Sequence, residues 1–170
     1  KAHAEWRNDM RTLVWTRESG LTNGPLQQEF FKNLPDNWDF WAIKDSNDIH
    51  IGTAGLTDID YLSETAEFSL LIGPEHRDQG WGRRALELLL SQAKMVHKTR
   101  LVYGNTFAYP PTAREFLEGL NAPFIPMEEG LVNPAYNTFK SLGARMEGLL
   151  ECRNFKFGHY VNVIPFRFDL

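Results

Sequence analysis

Residues 72–90 combine residue types that suit a ligand with phosphate groups. An apolar stretch ends at Gly73-Pro74, a short polar loop contains Gly80 and Gly82, and a helical pattern follows at once. A strand-to-helix turn leaves backbone N–H groups without partners, and the helix start adds partial positive charge. The two glycines let the backbone approach an anion with no Cβ in the way. Positive charge lies beside them at Arg77, Arg83 and Arg84.

Two common phosphate-binding motifs do not account for this loop. A dinucleotide fingerprint requires a third glycine three residues after Gly82, where Ala85 stands. A Walker loop requires Gly-Lys followed by Ser or Thr, which is absent here. The spacing that fits is Arg/Gln-x-x-Gly-x-Gly/Ala, met by Arg77, Gly80 and Gly82.

This spacing resembles the loop that binds the acyl-CoA pyrophosphate in the GNAT superfamily of N-acyltransferases. Residues 51–56 and 66–72 look like the two strands that lead into that loop, and residues 146–148 and 157–162 look like the closing β-hairpin. The resemblance extends over roughly residues 40–107 and 133–168. It is strongest to the branch of ribosomal-protein, polyamine and nucleotide-aminosugar acetyltransferases.

The resemblance implies a fold and a cosubstrate. We expect one α/β domain over residues 1–170, with a mixed, largely antiparallel twisted sheet flanked by helices and central parallel strands that splay to admit acetyl-CoA. The backbone of the strand before the loop would hold the pantetheine arm and the acyl carbonyl. The cofactor-binding residues implied in this way are Leu70, Leu71, Ile72, Arg77, Asp78, Gln79, Gly80, Trp81, Gly82, Arg83 and Asn133.

Glu67 is the residue predicted to deprotonate the attacking amine. It is a charged residue in an apolar strand, and strand alternation places Ser69 and Leu71 on the same face of the sheet. The alternative is a carboxylate at a sheet edge, in solvent or in a salt bridge. Asn105, late in the next strand, could orient a water or the amide, or it could simply be a polar residue at a strand end.

The family's usual proton donor to the leaving thiolate is a tyrosine, and this chain departs from that pattern. Alignment on Ala135 and Gly143 puts Phe139 at the tyrosine position, and a phenyl ring has no proton to give. Either the thiolate leaves without a protein acid, or Tyr136 supplies the proton. A third interpretation makes Tyr136 a core or cofactor-packing residue.

Several elements flank these motifs. Helical spacing in residues 2–15 predicts one helix with Gly20 near its end, and Asn23-Gly24-Pro25 predicts the start of a second. Asn133-Pro134 predicts the cap of a later helix that Gly143 closes. Asp45-Ser46-Asn47-Asp48 predicts a hairpin turn between two strands, and residues 144–156 and 159–168 are predicted to be the last two strands. The predicted buried stripe of the second helix is Leu26, Phe30, Phe31 and Leu34.

Two regions differ from the family. Residues 108–132 are rich in proline and aromatic residues and are predicted to be an insertion that shapes the acceptor pocket or a dimer contact. The family's first strand would precede the helix with which this chain begins. The run Trp6-Arg7-Asn8-Asp9 resembles a stretch in aminosugar acetyltransferases, or else Trp6 is a core anchor.

Composition narrows the choice of partners. A net charge of −4 and a pI near 5.7 provide no basic field for nucleic acid. The five histidines and Cys152 show no metal-ligand spacing, so no metal is expected. No apolar run suits a membrane span, and a single cysteine fits a reducing, cytoplasmic setting.

The sequence therefore predicts an acetyl-CoA-dependent N-acetyltransferase. The acceptor would be a primary amine of a small molecule, an amino sugar or a protein N-terminus, and it would attack directly in a ternary complex. Two alternatives remain open: a non-catalytic acyl-CoA sensor or structural module, and a binder of ADP-like nucleotides without acyl chemistry.

Overall fold

The structure is a computed structural model that describes residues 2–16, 21–122, 125–126, 132–133, 135–148 and 150–170. Its helices are α1 (Ala2–Asn8), α2 (Met10–Leu13), α3 (Gly24–Lys32), α4 (Trp81–Met95), α5 (Arg114–Gly119) and α6 (Tyr136–Ser141). Its strands are β1 (Asp39–Lys44), β2 (His50–Asp60), β3 (Thr65–Ile72), β4 (Leu101–Ala108), β5 (Ile125–Pro126), β6 (Val132–Asn133), β7 (Arg145–Met146), β8 (Leu150–Lys156) and β9 (His159–Asp169).

The chain divides into two compact units, which are described separately. The first contains Lys1–Arg7, Thr22–Gly104 and Phe168–Leu170, and the second contains Asn8–Leu21 and Asn105–Arg167. Strand β4 contributes residues to both. None of the helices among the described residues is long and apolar enough to cross a membrane.

The sheet of the first unit has the strand order β1-β2-β3-β4. Strands β1, β2 and β3 are antiparallel neighbours, and β3 and β4 are parallel. The turn between β1 and β2 is the one its polar residues predict, because the Asp45 carboxylate accepts hydrogen bonds at 2.9 Å from the backbone N–H groups of Asn47 and Ile49. This mixed, largely antiparallel sheet confirms the predicted fold class.

The parallel strands β3 and β4 pair over a short length. The register joins Thr65 to Leu101, Ala66 to Val102 and Glu67 to Tyr103. Beyond Glu67, the cross-strand partners of β3 among the described residues lie on β2. The ring of Phe68 lies over Gly104, where an added Cβ would be 2.3 Å from Phe68 Cε1. The central parallel strands therefore separate beyond Glu67, in agreement with the splay that the family resemblance implies.

The second unit has its own core. Strand β9 pairs antiparallel with β7 and with β8. The fully or nearly fully buried residues of its core cluster are Val14, Phe107, Tyr109, Ala113, Leu117, Ala122 and Val161. Four of these lie in residues 108–132, so the apolar residues of the predicted insertion do pack against the rest of the unit, as far as they are described.

Two polar side chains of the second unit bind the backbone at the end of α2. The Tyr109 hydroxyl donates to the Val14 carbonyl at 2.9 Å, and Lys156 Nζ donates to the Leu13 carbonyl at 2.8 Å and to that of Thr16. The last carbonyls of a helix have no partner within the helix, so these bonds satisfy them. Burial raises the pKa of Tyr109 and lowers that of Lys156 to about 8.

Three sequence predictions about the helices and strands are wrong in detail. The helix predicted over residues 2–15 is broken at Asp9, whose carboxylate caps α2 by accepting from the Arg11 N–H at 2.8 Å. Helix α6 has Ala135 as its N-cap, because Val132–Asn133 is a strand instead. The strand predicted over residues 144–156 is divided into β7 and β8, with Gly148 between them at φ 153°.

The predicted stripe of α3 is also wrong. Asn23 does cap this helix, accepting from the Leu26 N–H at 2.9 Å, but Leu26 is 53% exposed and Phe31 is 36% exposed. The buried residue of α3 is Gln27. Apolar periodicity indicates which face of a helix is apolar, but it does not say what covers that face.

Candidate acetyl-CoA and amine site

The loop between β3 and α4 has the geometry that its glycines predict. A short 3₁₀ turn at Pro74–His76 leads to Asp78 and Gly80, which have φ angles of 59° and 79°. Gly80 is the N-cap of α4 and has no side chain with which to cap it. The first N–H groups of α4 therefore depend on a partner other than a capping side chain, and a phosphate group is a suitable acceptor.

Space around the two glycines fits a phosphate-bearing ligand. Among the described residues, a Cβ built on Gly80 would meet nothing within 4 Å. One built on Gly82 would be 3.7 Å from Ile72 Cγ1, which is an ordinary contact. The fold itself thus leaves room for a side chain at Gly82, and the protein packing around it does not require glycine there. A backbone that a ligand must approach closely does require glycine.

Several polar side chains of the loop bond to nearby residues of β3, of the loop and of α4. Arg77 Nε donates to the Ile72 carbonyl at 3.1 Å, and Arg83 forms an ion pair with Glu87 at 3.0 Å. Gln79 links the carbonyl of Glu75 to the indole N–H of Trp81, at 3.4 and 3.3 Å. The Arg84 guanidinium lies 5.6 Å from the centre of the Trp81 ring. Arg77 therefore ties the loop to the end of β3.

The end of β3 is positioned for a pantetheine chain. Leu70, Leu71 and Ile72 pair with Ala54, Thr53 and Gly52 of β2. No pair with β4 is formed by these three residues in the described chain. A ligand lying along this edge of β3 could exchange backbone hydrogen bonds as an added strand does.

Glu67 lies at the point where β3 and β4 separate. It is 8% exposed and lies between Thr57 on β2 and Tyr103 on β4. The Thr57 hydroxyl donates to the Glu67 carbonyl at 3.4 Å. Glu67 is therefore a buried residue of a central strand. The alternative that it is a solvent-exposed residue at a sheet edge is wrong.

The other predicted chemical residues belong to the second unit. Asn105 is exposed on β4, and Tyr136 is 8% exposed at the start of α6. The Tyr136 ring lies 6.2 Å from that of Phe166 and 5.6 Å from Lys140 Nζ. Phe139, at the family's tyrosine position, packs against Phe166 at 5.2 Å. Asn133 lies in β6, and its side chain is outside the described part of the chain.

One contact of the loop is not predicted by the sequence. The Trp6 indole N–H on α1 donates to Glu75 Oε1 at 2.7 Å, and these residues are 69 positions apart. The Trp6 ring also lies against Gly73, where a Cβ would be 2.5 Å from Trp6 Cε2. The only local signal was the run Trp6-Arg7-Asn8-Asp9, and it does not identify Glu75 as the partner.

A cavity of about 360 Å³ in the first unit has different chemistry. The side chains around it are His3, Phe31, Leu34, Phe40, Trp41, Ala42, His50 and Thr53. Burial and the charge of Arg7 lower the pKa of His3 to about 4, so this ring is neutral near pH 7. Of the described residues around the cavity, none is a carboxylate, and most are aromatic or aliphatic. Among the described residues, no three His, Cys, Asp or Glu side chains are grouped closely enough to hold a metal ion.

The fold and this site define a class of protein. A glycine loop opening a helix, next to a strand that leaves its parallel neighbour at a buried carboxylate, is the arrangement of an acyl-CoA-dependent N-acyltransferase. The family described as Acetyltransferase (GNAT) domain matches residues 1–108, and the chain belongs to this family. It is an acetyltransferase that moves an acetyl group from acetyl-CoA to an amine.

Individual relatives are distant. A spermidine N(1)-acetyltransferase from Vibrio cholerae serotype O1 is 24% identical over 140 residues, which is 79% of this chain and 81% of that protein. A crystal structure of spermidine N-acetyltransferase from Vibrio cholerae with CoA and spermine has a TM-score of 0.73 at 19% identity, covering 98% of this chain and 87% of that one. A dodecameric structure of the Vibrio cholerae enzyme has a TM-score of 0.62 at 19% identity, covering 85% and 71%. At this identity the structural likeness shows the fold.

Proposed function

We propose that the acceptor is a primary amine of a small polyamine and that Glu67 is the base that receives its proton. The support for the acceptor class is the similarity to a spermidine N(1)-acetyltransferase over 79% of the chain. The net charge of −4 is compatible with a cationic substrate. The observation that carries the chemical role is the burial of Glu67 where β3 and β4 part.

The proposed reaction is direct transfer in a ternary complex. The N–H groups at Gly80 and Gly82 bind the diphosphate, with Arg77, Asp78, Gln79, Trp81 and Arg83 shaping the loop. The backbone at Leu70, Leu71 and Ile72 holds the pantetheine arm and stabilises the carbonyl oxygen as it gains charge. Asn133 is proposed to contact the cofactor as well.

Bond changes in this scheme balance without a further reactant. The amine nitrogen bonds to the acetyl carbon, the carbon–sulfur bond breaks, and the amine proton passes to Glu67. The sulfur leaves as a thiolate and takes up a proton, which we assign to Tyr136. Asn105 is proposed to orient the water that connects the amine to its base.

A panel of amines tests the acceptor class. The chain should be incubated with acetyl-CoA and, separately, spermidine, spermine, a peptide with a free N-terminus and a nucleotide-linked amino sugar. We expect free CoA thiol to appear together with an acetylated product for the polyamines, as detected by mass spectrometry. Acetylation of only the peptide or the amino sugar would overturn the polyamine assignment.

The same panel separates an enzyme from a sensor. If calorimetry detects CoA binding but every amine remains unmodified, the non-catalytic acyl-CoA sensor becomes the better description. Competition by ADP with no preference for CoA would instead favour a nucleotide binder.

We also propose that the protein self-associates and that it acts in the cytoplasm. Exposed apolar residues on α3, among them Leu26 and Phe31, are one candidate contact, and residues 108–132 are another. The Vibrio cholerae relative forms a dodecamer. The single cysteine, Cys152, fits a reducing compartment. Sedimentation velocity gives the oligomeric mass, and a monomer at micromolar concentration would contradict self-association.

A further inference from the structure

Strands β1 and β2 contain a β-bulge near the end of β2. Two contacts enclose it, the Asp39–Leu56 pair and a bond of 3.1 Å from the Ile59 N–H to the Asn37 carbonyl. Between these contacts Trp38 lies opposite both Thr57 and Asp58, so two residues of β2 face one residue at the start of β1. Asp58 has a φ of 48°, and among the described non-glycine residues with positive φ it alone lies inside a strand. A bulge changes the direction of a side chain, and here that side chain is a carboxylate.

The Asp58 carboxylate contacts the edge of an aromatic cluster. Trp38 Nε1 donates to Asp58 Oδ1 at 3.2 Å. The Trp38 ring lies 6.2 Å from the Phe30 ring and 6.3 Å from the Phe40 ring, and those two rings are 5.9 Å apart. Asp58 is exposed and Trp38 is half-buried. A carboxylate beside the π faces of aromatic rings is a pair of groups that attracts an ammonium ion.

The aromatic cluster lies on the same face of the sheet as the Glu67 side chain. The Phe40 ring lies over Gly55, where an added Cβ would be 2.5 Å from Phe40 Cδ1. Gly55 pairs with Ser69, and strand alternation places Ser69 and Glu67 on one face of β3. The cluster and the proposed base therefore face the same side, and all of these residues belong to the first unit.

The separation between the cluster and Glu67 suits a ligand with two charges some distance apart. Thr57 is the cross-strand partner of Glu67, and on its other side Thr57 lies opposite Trp38. Two strand spacings thus separate Glu67 from Trp38, which is about 10 Å across the sheet. An extended polyamine with its reacting nitrogen near Glu67 reaches this far with a nitrogen that is still charged.

We propose that Asp58 and Trp38 form the subsite that binds a distal ammonium group of the polyamine acceptor. This inference rests on the proposed polyamine acceptor. The bond from Trp38 uses one of the lone-pair sites of the Asp58 carboxylate, and the exposed remainder accepts from the ammonium. The Trp38 ring adds its π face, and the Phe30 and Phe40 rings offer apolar surface to the methylene groups. Asp58 and Trp38 are specificity-determining residues in this scheme and take no part in the acetyl transfer.

Acceptors with and without a distal charge test the subsite. Spermidine has distal ammonium groups, whereas n-butylamine has a primary amine alone. Asp58→Asn keeps the size of an exposed side chain and removes its charge, so the fold should be retained. KM for spermidine should rise about five- to twentyfold, as for one charge-assisted hydrogen bond near solvent, while kcat and KM for acetyl-CoA change less than about twofold. With n-butylamine, kcat/KM should stay within about twofold of the wild-type value.

Two further variants separate a local contact from other effects. Asp48→Asn is the matched control, because Asp48 is also exposed, has a φ of 63° and lies at the hairpin turn between β1 and β2. It removes the same charge and should leave KM for spermidine unchanged. Trp38→Phe keeps a ring near Phe30 and Phe40 but removes the N–H donor and weakens the cation–π attraction, so KM for spermidine should rise about two- to fivefold. Thermal unfolding establishes that each variant is folded.

The proposal is overturned if Asp58→Asn leaves KM for spermidine unchanged, or if it lowers kcat/KM equally for spermidine and n-butylamine. Asp48→Asn with the same effect as Asp58→Asn would also overturn it, because net charge would then be the cause. If turnover of n-butylamine is too slow to measure, its competition against spermidine gives the same comparison. Failure of the polyamine assignment itself is seen in the wild-type protein, because spermidine would then not be acetylated, and the subsite would fall with it.

Discussion

Glu67 and Tyr103 form the last residue pair of the parallel strands β3 and β4. One residue further along each strand, the ring of Phe68 lies over Gly104 in place of a continuing ladder. Glu67 therefore lies where the gap between β3 and β4 begins. Leu70, Leu71 and Ile72 follow it along the β3 side of this gap. A thioester bound along that edge would have its diphosphate at the glycine loop and its acyl end toward Glu67.

Replacing Glu67 with glutamine tests its role as the base. Glu67→Gln keeps the shape of the side chain but cannot accept the amine proton, so kcat should fall by on the order of 10²-fold near neutral pH. The acid limb of the pH–rate profile should disappear, and acetyl-CoA affinity should hardly change. Glu29→Gln, at an exposed position of α3, is the matched control. A profile identical to that of the wild type would make Glu67 a structural residue.

At Gly82, substitution should affect stability and binding in opposite directions. Gly82→Ala places a Cβ at an ordinary 3.7 Å from Ile72 Cγ1 inside α4, so the melting temperature should stay the same or rise. CoA affinity should fall, and Gly82→Val should lose about 2–4 kcal/mol of binding because its branched side chain occupies the diphosphate position. Calorimetric titration measures the CoA affinity of each variant, and thermal unfolding measures its melting temperature. Wild-type affinity in a folded Gly82→Val protein would remove the loop from the CoA site.

Local signals in the sequence predicted local structure well. The glycine loop, the Asn23 cap and the Asp45 turn each depend on residues close together in the chain, and all three form. The buried face of α4 was predictable in large part from helical spacing. Ala85, Leu86, Leu89 and Ala93 are buried, whereas Leu90 is only partly buried and Val96 is 58% exposed. The fold class was implied by the resemblance of these segments, in this order, to the GNAT superfamily.

Contacts between distant segments could not be predicted in the same way. The bond between Trp6 and Glu75 depends on how α1 packs against the end of the sheet, and neither residue type requires the other. The exposure of Leu26 and Phe31 on α3 likewise depends on which neighbour covers that face. From the sequence alone, Asp9 is indistinguishable from a residue inside a helix. In the structure it is an N-cap, because its carboxylate accepts a hydrogen bond from the Arg11 N–H.

Tyr136 should contribute to departure of the thiolate. Tyr136→Phe removes the hydroxyl and keeps the ring that packs near Phe166, so the fold should be retained. If the hydroxyl donates the proton, kcat should fall about tenfold, a smaller loss than for most general acids because a thiolate is already a good leaving group. Steady-state rates with saturating amine measure this change. An unchanged kcat would show that the thiolate departs without a protein acid.

Tyr109 provides a stability prediction for residues 108–132. Its hydroxyl is buried and donates to the Val14 carbonyl, so Tyr109→Phe leaves that carbonyl without its partner. The free energy of unfolding should fall by about 1–3 kcal/mol. Tyr160→Phe, at a position that is 64% exposed, should cost much less. Equal effects in urea titrations would contradict the assignment.

The burial of Tyr109 also changes how the predicted insertion should be tested. Replacing residues 109–129 with a short Gly/Ser linker would remove Tyr109, Ala113, Leu117 and Ala122 from the core of the second unit. The free energy of unfolding of such a protein would fall, and a change in its acceptor KM could then result from the loss of stability alone. Substitutions at exposed positions, such as Glu118, are the better probes of whether this segment shapes acceptor KM or a subunit contact.

His3 should make the stability of the first unit fall in mild acid. Its pKa is lowered from 6.5 to about 4 by burial and by Arg7, so the folded protein holds a neutral ring while the unfolded chain binds a proton. Because the unfolded state binds more protons between these values, the stabilising contribution is complete above pH 6.5 and is lost as the pH falls toward 4.

His3→Gln keeps a polar group near Gln27 without titrating in this range. The urea-derived free energy of unfolding should therefore decline less steeply for His3→Gln than for the wild type, with a difference of about 1–2 kcal/mol by pH 4.5 after allowance for partial solvent exposure. Above pH 7 the two curves should run parallel, and curves that remain parallel down to pH 4.5 would show that the His3 ring is protonated in the folded protein.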